Sequence, residues 1–255
     1  MHIPNRRKFL SRLLAGTGFV LLAGCDKLSG SKWFTEVLSS GESLSKNVHH
    51  LMANRKSIAQ EFSEKDLSPD FRSNGTAMPN SEDYQALANN DFADWKLEVG
   101  GLVEQQQTFT LKDLQALPSR TQITRHDCVE GWSAIGKWTG VPLHEILSHV
   151  KPLKRARYVM FYCADPMEDD GTQHYYESID MNDAYHPQTL LAYQLNGKTL
   201  PVKNGAPIRL RVERQLGYKH AKYIMRIELV DKFNHIAGGK GGYWEDSGYE
   251  WYAGI

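Results

Sequence analysis

From Trp95 onward the chain is cut by turn-forming residues into short runs, most with the period of a strand, and this punctuation limits the folds open to it more than any other feature. W-K-L-E-V (95–99) and R-T-Q-I-T-R (120–125) alternate as strands, and T-F-T-L-K-D-L (108–114) enters a short helix. V-P-L-H-E-I-L-S-H-V (141–150) reads as an amphipathic helix with Pro142 in its first turn. R-Y-V-M-F-Y-C (157–163) has the apolar density of a buried strand, and L-L-A-Y-Q-L-N-G-K-T-L (190–200) that of a hairpin turning at Asn196-Gly197. Two more strands are expected at Pro207–Val212 and Tyr223–Val230. Short strands interleaved with a few short helices predict an α+β architecture on a mixed sheet, with no internal repeat. At 41% hydrophobic and 24% charged residues the chain has a core's worth of apolar side chains, which excludes disorder.

The N-terminal part is organised differently. A basic stretch with Arg6, Arg7, Lys8 and Arg12 precedes an apolar run of 11 residues, Leu13–Ala23, too short to cross a bilayer core of roughly 30 Å. It reads as the h-region of a signal peptide. The string L-A-G-C ending at Cys25 resembles the lipobox of bacterial lipoproteins, and N-R-R-K-F-L-S (5–11) resembles a twin-arginine export signal, a route used by proteins that fold around a cofactor before export. Residues 1–24 are thus expected to be a removable leader and Cys25 the lipid-bearing first residue. Residues 25–66 are expected to form a tether and helical arm, and residues 67–255 the main domain. Between Leu67 and Asp94 lie turn clusters with little periodicity, a long loop of the kind that carries function. The 30 basic and 30 acidic residues cancel, and removing the four basic residues of the leader leaves the remainder acidic, which disfavours nucleic acid as a partner.

Apart from Cys25 the chain has Cys128 and Cys163. They could bridge, but a domain of this size hardly needs one disulfide, so one of them is expected to do chemistry. Cys128 sits in R-H-D-C-V-E-G-W-S (125–133), where a strand ends and a glycine-containing loop begins. A thiolate there, flanked by Arg125 and His126, can bind a soft metal. Zinc would need further ligands at a recognisable spacing, and no C-x-x-C or H-x-x-x-H accompanies it. The last thirteen residues hold Tyr243, Trp244, Tyr249, Trp251 and Tyr252, either a lid on the core or a gate over a site.

C-V-E-G-W-S (128–133) followed by W-T-G-V-P-L-H-E-I-L (138–147) is similar to the molybdenum-binding core of the sulfite oxidase superfamily, in its bacterial branch related to protein-methionine-sulfoxide reductases. The resemblance implies that Cys128 ligates molybdenum beside the dithiolene of one molybdopterin. N-G-A-P-I-R (204–209) and G-Y-K-H-A-K-Y-I (217–224) resemble the pterin-phosphate stretch, which implies cofactor contacts from Asn204, Arg209, His220, Ala221 and Lys222. F-R-S-N-G (71–75) is similar to the early pterin-contact segment, which adds Phe71, Arg72, Asn74 and Gly75. Cys163 falls where the reductase branch has a hydroxyl residue near the metal. Independently of the resemblance, a pterin phosphate needs a fixed cation such as Arg209 and backbone N–H groups from a turn.

The departures matter as well. Sulfite oxidases follow the metal ligand with arginines that meet an anion, whereas this chain has Val129, Glu130, Gly131 and Trp132. Glu130 facing the metal would repel sulfite. Too little chain follows Phe233 for the second, dimerising sandwich domain of that superfamily, so a single catalytic domain and a monomer are expected. The resemblance therefore implies an exported molybdenum oxidoreductase that transfers an oxygen atom, in the direction of S-oxide or N-oxide reduction, with Arg125 and His126 as further catalytic candidates. The substrate would be a small-molecule or protein-bound oxide. Nothing in the sequence holds haem or flavin, so electrons are expected from a membrane or periplasmic partner. The enzyme would be lipid-anchored on the periplasmic face of the inner membrane, as Asp26 next to the anchor suggests. The alternatives are a dehydrogenase of sulfite or another sulfur oxyanion, and a cofactor-free binding lipoprotein.

Overall fold

The computed structural model describes Ser31, Trp33, Gly41, residues 57–168, Gly171 and residues 173–255. The expectations for Arg6, Arg7, Cys25 and Asp26, and most of the 25–66 arm, lie outside these residues.

Two five-stranded sheets carry the described chain. In the first, β1 (Lys96–Gly101) keeps Leu97 and Val99 inside and Lys96 and Glu98 outside, the alternation its sequence announces. It pairs antiparallel with β2 (Gln107–Thr110) and parallel with β10 (Ile224–Val230), which leads on to β5 (Tyr158–Pro166) and β6 (His174–Asp180) in the order β2-β1-β10-β5-β6. The second runs β3 (Arg120–Asp127), β4 (Ser133–Pro142), β7 (Leu190–Leu195) and β8 (Lys198–Thr199), with β9 (Arg209–Arg211) paired to β7. One parallel pair among antiparallel ones makes the architecture mixed, as expected. A continuous core joins both sheets through Leu97, Val99, Phe161, Leu191, Leu210 and Ile227.

Among residues 57–255, five short α-helices are described: α1 (Glu82–Asn89), α2 (Leu111–Ala116), α3 (Leu143–Val150), α4 (Met181–Ala184) and α5 (Tyr243–Asp246). The helix expected at 141–150 is α3, with Pro142 immediately before it. The stretch expected to be loop between Leu67 and Asp94 contains α1. Ser81 caps it by accepting from Tyr84 N, and Tyr84 is its one buried residue, so no apolar stripe betrays it. Tyr84 ties the helix inward by donating its hydroxyl to Ala206 O at 2.6 Å. The segment expected to enter a helix at Thr108 is first the strand β2, and Thr110 and Asp113 form the capping box that starts α2.

Strands β4 and β6 have no counterpart in the sequence reading. In β4, two glycines weaken the strand pattern because neighbours come too close for a side chain. A Cβ at Gly140 would lie 2.3 Å from Leu191 O, and one at Gly136 would lie 2.8 Å from the Phe71 ring. In β6, Tyr175 through Asp180 are all buried, Glu177 and Ser178 included, so the strand neither alternates nor reads as apolar.

Candidate active site

Strand β3 alternates strictly, with Gln122, Thr124 and His126 inside and Arg125 outside. Where it ends, Cys128 closes a tight turn: its N–H donates to Trp132 O at 2.9 Å and its carbonyl accepts from Gly131 N at 3.0 Å. Cys128 is buried and lines a cavity of about 180 Å³. The first wall of that cavity is the turn itself, Cys128, Val129 and Glu130; the second is Asn74, Gly75 and Thr76; the third is Gly217, Tyr218, His220 and Lys222. Asp165, Met167, Tyr175, Trp244 and Tyr249 complete it. Burial pushes the Cys128 thiol up from its ordinary value, while the backbone N–H groups of Glu130 and Val129 and the Arg72 charge pull the other way.

His126 lies directly behind Cys128. Its Nδ1 receives the Arg211 guanidinium at 3.0 Å, and its Nε2 has no hydrogen-bond partner. Burial, then the charges of Arg211, Arg209 and Lys222, hold the imidazole well below its usual range, so it is neutral. A neutral ring that accepts at Nδ1 carries its proton on Nε2. That edge faces Gly217, where a Cβ would come within 2.6 Å of Nε2, so only glycine lets the two strings of the site meet. His220 stands edge-on to His126 with ring centroids 5.0 Å apart. Its Nε2 donates to Gln215 O at 3.0 Å, and its buried Nδ1 is left as an acceptor without a donor.

Lys222 joins two walls. Its ammonium donates to Asn74 O at 2.7 Å, Thr76 O at 2.5 Å and Lys203 O at 3.3 Å. Burial, and then the Arg209 charge, draw it down to about 7, against three carbonyls that only an ammonium can satisfy together. Asp165 is buried in the cavity wall and pushed up to about 6, chiefly by desolvation, and its Oδ1 makes no hydrogen bond. The aromatic side is assembled from distant segments: Trp244 and Tyr249 stack at 5.3 Å, and Tyr249 meets Tyr218 edge-on at 5.2 Å.

Of the residues singled out in the sequence, the structure brings Cys128, Asn74, Gly75, His220 and Lys222 to this one cavity. His126 and Arg209 lie behind its wall. Arg209 is fully buried, donates to Asn204 O at 3.1 Å and His220 O at 3.2 Å, and rests over the Trp138 ring; burial and Arg211 lower it to about 9. Asn204 and Ala221 are buried beside it, and Phe71 packs edge-on against Trp138 at 4.9 Å. Arg72 is exposed, its guanidinium 5.4 Å from the Trp132 ring centre. Cys163 is a free thiol in the core that does not line the cavity, and burial and Asp165 push it well up. Arg125 points the other way, into a separate cleft with Thr124, Asp127 and Glu213, where it pairs with Asp127. Glu130 is at the cavity, held by Trp132 Nε1 at 2.9 Å. The sequence reading missed Thr76, Asp165, Met167, Tyr175, Gly217 and Tyr218 as wall residues. Thr76 adjoins a recognised string and Gly217 and Tyr218 lie inside one, but Asp165, Met167 and Tyr175 belong to β5, β6 and the loop between them, and no local signal marks them.

These residues fit a molybdenum centre with one molybdopterin. A sulfur ligand is aimed into the cavity, Lys222 offers a cation for a phosphate, and Asp165 Oδ1 and His220 Nδ1 are orphaned buried acceptors for the N–H groups of a pterin. The family described as an oxidoreductase molybdopterin binding domain matches residues 84–236. The chain is 38% identical over 254 residues, 100% of its length and 89% of the relative's, to the "Putative protein-methionine-sulfoxide reductase subunit YedZ1" of Azospira oryzae. It is 41% identical to the protein-methionine-sulfoxide reductase catalytic subunit MsrP of Xanthomonas axonopodis over 56% of this chain and 47% of that one. The MsrP of Ralstonia nicotianae is also 41% identical, over 54% of this chain and 44% of its own length, so the match spans less than half of these two relatives. Among solved structures, the sulfane dehydrogenase SoxCD of Paracoccus pantotrophus superposes with a TM-score of 0.50 at 24% identity, over 55% of this chain and 39% of that one, a likeness of fold.

Proposed function

Because the chain belongs to the oxidoreductase molybdopterin-binding family, and is thus a molybdenum-molybdopterin enzyme of sulfite-oxidase-like fold, we propose that it reduces an S-oxide, small or carried on a protein. The observation that carries this reading is the composition of the cavity wall. Among the described residues no arginine lines it; Lys222 is spent on three backbone carbonyls, and two carboxylates, Glu130 and Asp165, stand beside the apolar and aromatic Val129, Met167, Tyr175, Tyr218, Trp244 and Tyr249. A sulfur oxyanion would meet like charge there, whereas a neutral sulfoxide with its alkyl groups finds apolar surface. The names of the relatives point to the same substrate class.

When bound, molybdenum with its pterin dithiolene supplies two-electron oxygen-atom transfer. The chain's residues do the rest. Cys128 would hold the centre at the end of β3, and the turn that carries it is fixed by its bonds to Trp132 and Gly131. Lys222 and the buried Arg209–His220 pair hold the cofactor end of the cavity. The aromatic wall excludes water and seats the alkyl part of the substrate. Overall the oxide takes up two electrons and two protons and leaves as sulfide and water. We further propose that the electrons come from a membrane or periplasmic partner, that the twin-arginine leader exports the folded enzyme, and that lipid at Cys25 keeps a monomer on the periplasmic face of the inner membrane.

The test is turnover by purified, molybdenum-loaded protein. With reduced viologen as electron donor, free and protein-bound methionine sulfoxide should be reduced. With ferricyanide as acceptor, sulfite should not be oxidised. Sulfite oxidation without any S-oxide reduction would overturn the reading.

A further inference from the structure

Three consecutive residues of β6 fasten the C-terminal segment that carries Trp244 and Tyr249. Tyr176 donates its hydroxyl to Asp246, whose carboxylate also accepts from Gly238 N and Lys240 N at 2.8 and 2.9 Å. Ser178 donates to Gly241 O and accepts from Trp251 Nε1 at 2.8 Å. Between them, Glu177 and Glu245 converge on the Lys219 ammonium, each at 2.5 Å, with all three side chains fully buried. Lys219 immediately precedes the cavity residue His220, and Glu245 immediately follows the cavity residue Trp244. The cluster thus ties together β6, the turn at 217–219 and α5.

The spacing depends on glycine. A Cβ at Gly242 would lie 2.0 Å from Glu245 Oε2 and 2.8 Å from Glu177 Oε1, and one at Gly241 would lie 2.8 Å from Trp251 and 2.9 Å from Ser178 Oγ. Two carboxylates and one ammonium would leave a net negative charge on fully buried side chains, which is costly unless a proton is retained. Glu177 Oε2 and Glu245 Oε2 each lack a hydrogen-bond partner. The other ionisable groups facing the cluster are the Tyr175 and Tyr176 hydroxyls, both kept protonated by burial and by these carboxylates. Burial holds the Glu177 carboxyl well above its usual range against the pull of Lys219, and one proton is retained within the cluster.

We propose that Lys219, Glu177 and Glu245 are positioning residues for the active site, a buried clasp that holds the Gly242–Tyr249 segment closed as the aromatic wall of the cavity. The inference needs this cavity to be the active site but does not depend on which oxide is reduced. Breaking the clasp should free the wall while leaving the cofactor end, held by Lys222 and Arg209, in place.

Hydrogen exchange followed by mass spectrometry on the molybdenum-loaded protein tests it, with KM and kcat measured on the same samples. In Glu177→Gln, which copies the protonated carboxyl, exchange over 238–252 and KM should match the wild type. In Lys219→Met, exchange over 238–252 should accelerate on the order of tenfold or more and KM should rise, with exchange in β5 and β10 and the molybdenum content unchanged. Should Lys219→Met fail to fold, the double variant Glu177→Gln/Glu245→Gln, which strands the lysine charge, is expected to open the same segment. An equally large opening in Glu177→Gln would overturn the retained proton. Unchanged exchange and KM in Lys219→Met, or in the double variant where it replaces it, would overturn the clasp.

Discussion

Replacing Lys222 with methionine should separate folding from cofactor retention, because the two depend on this residue with opposite sign. Its ammonium serves three carbonyls, but Thr76 O also accepts from the Tyr223 hydroxyl at 2.7 Å and Lys203 O from Ser73. Asn74 O is therefore the one left without a donor, a loss of about 1–3 kcal/mol. Against this stands the cost of burying the amine. A lysine drawn from 10.5 to about 7 carries a folding penalty of up to about 4–5 kcal/mol at neutral pH, reduced by whatever the three carbonyls restore. Without cofactor the two contributions oppose each other and differ by about 1–4 kcal/mol. The pH dependence fixes the sign. The folded value lies below the unfolded one, so the penalty is complete below pH 7 and fades as pH rises from about 7 towards 10.5. Urea unfolding of cofactor-free protein at pH 6.5 and 9.5 should therefore show the wild type gaining stability relative to Lys222→Met as pH rises. The same variant, expressed with cofactor, should lose most of its molybdopterin, since a buried phosphate has lost its cation. Full cofactor content in Lys222→Met, or stability curves that run parallel with pH, would refute this account of the residue.

Cys128→Ser should abolish turnover and lower molybdenum content while the melting temperature stays near that of cofactor-free wild type, because the side chain lines the cavity and packs little core; Cys163→Ser, whose sulfur lies outside the cavity wall, should keep its molybdenum. For the leader, replacing Arg6 and Arg7 with lysine should leave cofactor-loaded precursor in the cytoplasm, and Cys25→Ala should release soluble enzyme into the periplasm. Fractionation with molybdenum analysis reads both, and wild-type enzyme that is itself soluble would remove the lipid anchor.

What the sequence makes legible here, and what it hides, follows from how far apart the causes of each feature lie. Cys128 is readable because everything that sets it at the cavity is local: a strand that alternates, then a turn with glycine three residues later. The same alternation already separates Arg125 from His126, since neighbouring strand residues face opposite ways. Arg125 is accordingly found in the cleft on the far side, a placement that its charge and its nearness to Cys128 in sequence obscured. The hairpin at Asn196-Gly197 is legible for the same local reason, as Asn196 and Gly197 both adopt positive φ.

The hidden features have distant causes. Gly136 and Gly140 look like strand breakers until Phe71 and the Leu191 backbone, on other segments, are seen to need their space. Glu177 in the middle of β6 contradicts any buried-strand pattern, and its justification is a lysine 42 residues later and a glutamate 68 residues later. Asp165 and Tyr175 become site residues only because β5 ends and β6 begins beside the turn that holds His220. A local pattern is selected by one strand's own pleat, whereas a wall residue is selected by whatever the fold brings opposite it. The unusual positions are therefore where function should be sought: a buried glutamate in a strand and a glycine pair before an aromatic helix are poor choices for local structure, and they make sense as parts that hold a cavity wall in place.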